Sequence, residues 1–281
     1  MTAIELLRQP PFRMAADAGP AAAAAAIVAA FSRLAAAPAP LVTAWTLAMQ
    51  VSGVDAAEPL HRAGMAAARD IDAGIGAGCG NGYHNSRHFC EVLLCTLAIA
   101  QLAGLDRQEQ PLVLLAALLH DFHHDGRPRL QPFRHELCSV AASLPYLEAA
   151  GVGAAERAVL ATLILATDSV HGVPLARCCH GWHSGMATPP PAPPRPELAS
   201  LASLPRLALM AVVLAEADVL PSVALTPAHA ALTTARLEAE WNTVLGTRGK
   251  VDFIDRHIGA LQAARFFEPN LRAVRQASLE R

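Results

Sequence analysis

Two short stretches concentrate side chains that bind metals or move protons, "YHNSRH" at 83–88 and "HDFHHDG" at 120–126. His84 and His88 stand four apart, so on a helix they project from one face. His120 and Asp121 close a run whose preceding residues, "LVLLAALL" at 112–119, are wholly apolar, and His124 lies four beyond His120. An imidazole and a carboxylate at a buried helix end are costly unless they are paired or bound to a cation. Imidazole nitrogen and carboxylate oxygen suit divalent zinc, iron, manganese or magnesium, and the two oxygens of an aspartate can bridge two ions. Any one of these histidines alone reads as an ordinary core or surface residue. His88, His120, Asp121 and His124 together read as a ligating set.

The elements that must position them are helices. "FCEVLLCTLAIAQLAGL" (89–105), "QPLVLLAALLHDF" (110–122), "ELCSVAASLPYLEAAG" (136–151), "AAERAVLATLILATD" (154–168), "ASLPRLALMAVVLAEADV" (202–219) and "AHAALTTARLEAEWNTVLG" (228–246) are each long enough for a helix and end near Gly, Pro or Asp. Alternating strand patterns are almost absent, which predicts an all-α fold, a compact multi-helix bundle. "GVPLARCCHGWHSGMATPPPAPPRPEL" (172–198) carries six prolines between 189 and 196 and reads as a long proline-rich loop. Its "RCCHGWH" reads as a loop thiol pair, because no second Cys pair at zinc-finger spacing follows.

Composition narrows the class of function. The chain has 281 residues, 53% of them hydrophobic, enough for a sizeable core. A net charge of -2 with no Lys/Arg run gives no footprint for a nucleic-acid backbone or an anionic membrane. Residues 20–51 are apolar, but Arg33, Pro38 and Pro40 interrupt any span, so two soluble helices (21–36 and 41–51) are expected there. The six cysteines, Cys79, Cys90, Cys95, Cys138, Cys178 and Cys179, read as reduced thiols, which suits the cytoplasm. The opening "MTAIELLRQPPFRM" lacks the pattern of a secretory signal.

The order His, His-Asp, distant Asp resembles the HD superfamily of metal-dependent phosphohydrolases, and its details resemble the class I 3′,5′-cyclic nucleotide phosphodiesterases. "YHNSRHFCEV" is similar to that family's Y-H-N-x-x-H-A-x-D-V, and "HDFHHDG" to its H-D-x-D-H-P-G. "ILATDSVH" (164–171), "AEADVLPS" (215–222) and "KVDFIDRHIGAL" (250–261) resemble three further blocks in the right order. The resemblance implies that His88, His120, Asp121 and Asp218 hold the first of two divalent ions (Zn, Mg, Mn or Fe), with Asp121 bridging to the second. It implies His84 as general acid, His124 as a hydrogen-bonding partner, and Tyr83, Asn85, Lys250 and Phe253 as contacts to a small nucleotide. Glu268, in "FFEPNLR", is the candidate carboxylate partner of His84. The implied reaction is hydrolysis of a 3′,5′-cyclic nucleotide to the nucleoside 5′-monophosphate by a hydroxide bridging the two ions. Two cations neutralise the phosphodiester, and a positioned histidine protonates the leaving alkoxide.

The departures bear on specificity. Glu91, His123 and Asp125 stand where the family has Asp, Asp and Pro, and Lys250 replaces the glutamine that reads the purine. An ammonium only donates, whereas an amide donates and accepts, so base specificity stays open between an acceptor-rich edge and a pocket that does not use Lys250. His135 and His171 keep other HD chemistries open, a nucleotide phosphohydrolase or a diiron oxygenase. A catalytically weak nucleotide sensor is a further alternative. Residues 1–70 are expected to form a helical segment that packs on the catalytic domain, 71–281, or helps it form a homodimer.

Overall fold

The structure is a computed structural model, and it describes residues 19–76, 81–127, 131–186 and 188–280. The opening stretch "MTAIELLRQPPFRM" and Cys79 lie outside the described residues. Proline sets where many helices begin. Pro20, Pro40 and Pro59 open α1 (Pro20–Leu34), α2 (Pro40–Val51) and α3 (Pro59–Asp72), at positions where the missing N–H has no helical partner to lose. α4 (Ser86–Leu102) starts at Asn85, whose side-chain oxygen accepts the Arg87 N–H. Then follow α5 (Glu109–Leu119), α6 (Arg134–Ala149), α7 (Ala154–Leu165), α8 (Gly172–His183), α9 (Pro205–Val223), α10 (Pro227–Glu240), α11 (Gly246–Asp255) and α12 (Glu268–Leu279). Short 3-10 turns occupy Pro196–Ala202 and Arg265–Phe267, and the described residues contain no strand.

α4, α5 and α9 form the centre. Every residue of α4 from His88 to Ala100 is buried, as are those of α5 from Val113 to Leu119. α9 packs against α4, α5 and α8, while α4 also packs on α5 and α2. A helix enclosed on all sides has no solvent face on which to leave a polar group. The polar residues on these helices therefore need partners inside the protein. Glu216 on α9 finds them in the backbone: its two carboxylate oxygens accept the N–H groups of Gln262 and Ala264, each at 2.7 Å.

The first three helices share this core through Ile27, Phe31, Leu34, Trp45 and Met49. Trp45 lies so close over Gly64 that a Cβ there would approach its ring within 2.2 Å. The Asp72 carboxylate accepts the N–H groups of Leu41 and Val42, so the last residue of α3 caps the start of α2. Residue 70, the expected boundary between segments, falls inside α3.

The stretch 172–198 corrects the expectation of one long loop. Gly172–His183 is helical, because Pro174 falls in the first turn, where helix formation does not need its N–H. The proline cluster constrains only its own residues, and the irregular described residues are 184–186 and 188–195. The "RCCHGWH" residues thus sit on α8, with Cys179 buried and His183 Nε2 donating to the Leu201 carbonyl at 3.0 Å. The described cysteines, Cys90, Cys95, Cys138, Cys178 and Cys179, are all free. Among the described residues no single helix is long and apolar enough to cross a membrane.

Candidate metal centre

Three central elements each contribute to one cluster. α4 supplies His88 one turn from its start, the end of α5 supplies His120 and Asp121, and α9 supplies Asp218. One ligand atom from each of the four lies within 4.8 Å of the others. His88 Nε2 is 3.3 Å from Asp121 Oδ2 and 3.2 Å from Asp218 Oδ1; His120 Nε2 is 3.1 Å and 3.5 Å from the same two oxygens. Both Nε2 atoms are buried, and neither makes a hydrogen bond, so these approaches are close but poorly aligned. His120 Nδ1 donates to the Ala117 carbonyl at 2.8 Å, which orients the ring with Nε2 towards the carboxylates.

The electrostatics of this cluster call for positive charge. Burial alone would depress the His88 imidazole, but the Asp121 and Asp218 carboxylates outweigh it and raise it to about 9. They raise His120 well above its ordinary value against the same burial. Burial would likewise raise both carboxyls, yet the two imidazoles hold Asp121 well below, and Asp218 below, the usual carboxylate range. Two acids and two bases thus share protons at a point where four ligand atoms converge, and a divalent cation satisfies all four at once. The donor set of two imidazoles and two carboxylates fits zinc, iron or manganese.

A second cluster adjoins it. The turn before α4 carries Tyr83 and His84, and the end of α10 brings Glu240 against both. Glu240 Oε2 accepts the backbone N–H of Tyr83 at 2.7 Å and of His84 at 2.9 Å, while His84 Nδ1 donates to Oε1 at 2.5 Å. Burial would raise the Glu240 carboxyl, but the His84 bond and charge and these two backbone bonds hold it below its ordinary range. The free edge of His84 faces the metal centre, with Nε2 3.8 Å from Asp121 Oδ2. His124 stacks on His84 with ring centroids 3.8 Å apart at 19°. Its Nδ1 accepts the Gly126 N–H at 3.0 Å. Burial pushes His124 down to about 4, with Asp121 opposing and the His84 and His135 charges adding to it.

His84, His124 and Glu240 also bring ligand atoms within 4.8 Å. The imidazole lone pairs lie in the ring planes, however, and the lone pairs of two stacked rings run side by side rather than converging on one ion. Such an arrangement can hold and orient a proton.

A cavity of about 650 Å³ opens on Tyr83, His84 and Asp218 and extends to Lys250 and Phe253, which line it. Tyr83 packs its ring 4.6 Å from His88 and places its hydroxyl 3.3 Å from Ser222 Oγ. Lys250 is 31% exposed, and its Nζ lies 3.8 Å from Glu238 Oε1.

Two expected site residues stand elsewhere. Glu268 opens α12, where its Oε1 accepts the Gly259 N–H at 3.0 Å and an Arg272 bond at 2.9 Å; Glu240 takes the place expected for it beside His84. Asn85 is the cap of α4, and its amide nitrogen donates to the Asn81 and Gly82 carbonyls, so the side chain is engaged with its own turn. His135 and His171 supply no ligand atom to either cluster: the His135 ring packs 4.1 Å from that of His124 with its Nε2 3.3 Å from Asp125 Oδ1, and the half-exposed His171 is 3.4 Å from Asp168. His123 sits at a positive φ of 65° and donates its N–H to Gly76. Glu91, buried on α4, reaches His229 Nε2 and Arg236 Nη1 on α10, both at 3.2 Å, and so ties the helix bearing Glu240 to the helix bearing His88. The sequence offered no motif for Glu240; its sole signal is its place at the end of the helix that follows Asp218.

No family model and no curated protein sequence matches the chain. Among solved structures it is similar to the phosphodiesterase domain of the Salpingoeca rosetta rhodopsin phosphodiesterase, at 18% identity and a TM-score of 0.57, over 100% of this chain and 92% of that chain. It is also similar to LmjPDEB1, solved in complex with IBMX, at 16% identity and a TM-score of 0.64, over 99% of this chain and 96% of that chain. The chain therefore has the all-helical, HD-type fold of class I cyclic nucleotide phosphodiesterase catalytic domains.

Proposed function

We propose that the protein is a metal-dependent phosphodiesterase that hydrolyses a 3′,5′-cyclic nucleotide to the nucleoside 5′-monophosphate. The observation that carries this reading is the convergence of His88, His120, Asp121 and Asp218, with two buried Nε2 atoms lacking hydrogen bonds, at a cavity that also exposes His84. These four residues would hold one divalent ion, and Asp121, with two oxygens, would share a second. The ions supply Lewis acidity and neutralise the charge of the phosphodiester.

The remaining work falls to this chain's own side chains. His84 holds a proton at Nε2, on the side facing the metal centre, and delivers it to the departing ribose oxygen. Glu240 accepts the Nδ1 N–H, which fixes the ring, and its carboxylate balances the charge of the ring while Nε2 also carries a proton. Its two backbone bonds clamp the turn, so the ring has one orientation. His124, neutral near pH 7, stacks on His84 without competing for that proton. The cavity suits a mononucleotide, since pockets for such ligands run to roughly 300–1,000 Å³.

The test is an assay of the protein loaded with Zn, Mn or Mg against 3′,5′-cyclic nucleotides and against bis(4-nitrophenyl) phosphate, a diester without a base. Metal-dependent release of the 5′-monophosphate is the expected result. A protein that binds the metal yet leaves every one of these diesters intact overturns the reading.

A further inference from the structure

We propose that Lys250 and Glu238 together form a donor–acceptor pair that selects guanine, making 3′,5′-cyclic GMP the preferred ligand over cyclic AMP. This rests on the reading of the site as that of a cyclic nucleotide phosphodiesterase.

Both residues line the cavity that opens on His84 and Asp218. They come from different helices: Glu238 lies near the end of α10, two residues before Glu240, and Lys250 lies on α11. Lys250 Nζ and Glu238 Oε1 stand 3.8 Å apart, close enough for attraction and too far for a tight hydrogen bond. Each therefore keeps capacity for a ligand. Glu238 Oε1 is steadied by the Leu245 N–H at 3.0 Å, which fixes the carboxylate in place. An ammonium has three donors and no acceptor, and a carboxylate only accepts. The pair thus presents a donor next to an acceptor with two oxygens.

A base that satisfies this pair needs an acceptor beside donors along one edge. Guanine offers O6, then N1–H, then the 2-amino group, so Lys250 can donate to O6 while the carboxylate takes both N–H groups. Adenine offers N1 as acceptor and only the 6-amino group as donor on the same edge. It leaves one carboxylate oxygen without a partner. A polar group desolvated and left unpaired is what makes hydrogen-bonding sites reject the wrong ligand. Phe253, 37% exposed and lining the same cavity, offers an aromatic face on which the planar base can lie.

The experiment is a competition between cyclic GMP and cyclic AMP in one mixture, read as the ratio of kcat/KM, on wild type, Lys250→Gln, Glu238→Gln and the double variant. A ratio read from one mixture is independent of the fraction of protein correctly folded. Arg248→Ala, at a fully solvated position on α11, is the control. Equilibrium binding of the same two nucleotides is measured in parallel.

Wild type should favour cyclic GMP by about tenfold or more, the scale of one hydrogen bond to a charged group. Each single variant should bring the ratio towards one. The double variant should add little, because both substitutions break the same unit. A wild-type preference for cyclic AMP or for neither, or a ratio that both single variants leave unchanged, overturns the proposal. If bis(4-nitrophenyl) phosphate is cleaved while neither cyclic nucleotide is, the proposed substrate falls, and binding then decides the base reading: equal affinities for the two nucleotides sink it.

Discussion

The two histidine clusters use the same residue types to opposite ends. In one, His88 and His120 aim Nε2 atoms without hydrogen bonds at a point shared with two carboxylates, and none of the other described residues completes them. In the other, His84 donates to Glu240 and stacks on His124, so its ring is already engaged. Convergence of lone pairs makes a place for a cation, and parallel rings beside a carboxylate make a place for a proton. Which chemistry a histidine serves is decided by where its lone pair points, a property of the packing of α4, α5, α9 and α10.

Asp121 belongs to the first cluster and has the largest expected effect. Asp121→Ala should remove bound metal and take hydrolysis down by about 10⁶-fold or more, the usual scale of an enzyme's total acceleration. Metal analysis after gel filtration, with a rate assay, checks this. An active Asp121→Ala protein would erase the distinction between the clusters.

His84→Ala should keep its metal and lose roughly 10²–10⁴ in rate, the range of a positioned general acid. A substrate with a 4-nitrophenolate leaving group should lose much less, because that group departs without a proton. Equal losses on both substrates would move His84 out of its role.

Glu240→Gln retains a side-chain oxygen for the Tyr83 and His84 N–H groups and removes the charge. We expect a loss of about 10–100-fold, the scale for residues that orient a functional histidine. Added to His84→Ala it should cost nothing further, since the carboxylate acts through that ring.

His257 shows what burial does to a histidine outside both clusters. It is buried, Nδ1 lacks a partner, and burial, with the Arg177 and Arg256 charges, pushes it down to about 4 despite the opposing pull of Asp218. The unfolded chain takes up this proton near pH 6.5 and the folded chain only near 4. His257 therefore favours the fold fully above pH 6.5, and up to about 3 kcal/mol is lost as the pH falls through that window. Denaturant midpoints at pH 7 and pH 4.5 should show a smaller drop for His257→Phe than for wild type. An identical drop would mean that the ring is not held neutral.

The legibility of the site follows the same line. His88, His120 and Asp121 were readable because their spacing in the chain places them on helix faces and at a helix end. Asp218 was readable only through a family resemblance, since an aspartate near the middle of an apolar helix has no local signature. Glu240 is not readable in the sequence: its contacts to Tyr83 and His84 exist only after α10 docks on the turn at 83–85, and no local pattern distinguishes it from Glu268. The family resemblance points Asn85 at the ligand, whereas an Asn just before a helix is also a capping signal, and the cap is what the structure contains. The helical content was legible from apolar periodicity. α8 is masked in the sequence by the prolines that follow it, although they lie beyond its end.

The grip of Glu216 on Gln262 and Ala264 has a consequence for how such a chain can diversify. The segment 219–261, which bears Glu238, Glu240, Lys250 and Phe253, leaves from and returns to the neighbourhood of one buried carboxylate. Its anchor points stay together whatever lies between them, and doubling the length of such a closed stretch costs only about 0.6 kcal/mol of chain entropy. Insertions within it can remodel the wall that meets the ligand while His88, His120 and Asp121 stay where the core puts them. The protein is in this respect a fixed anvil with an exchangeable jaw, and grafting 219–261 from a chain of different selectivity is the natural way to re-tool it.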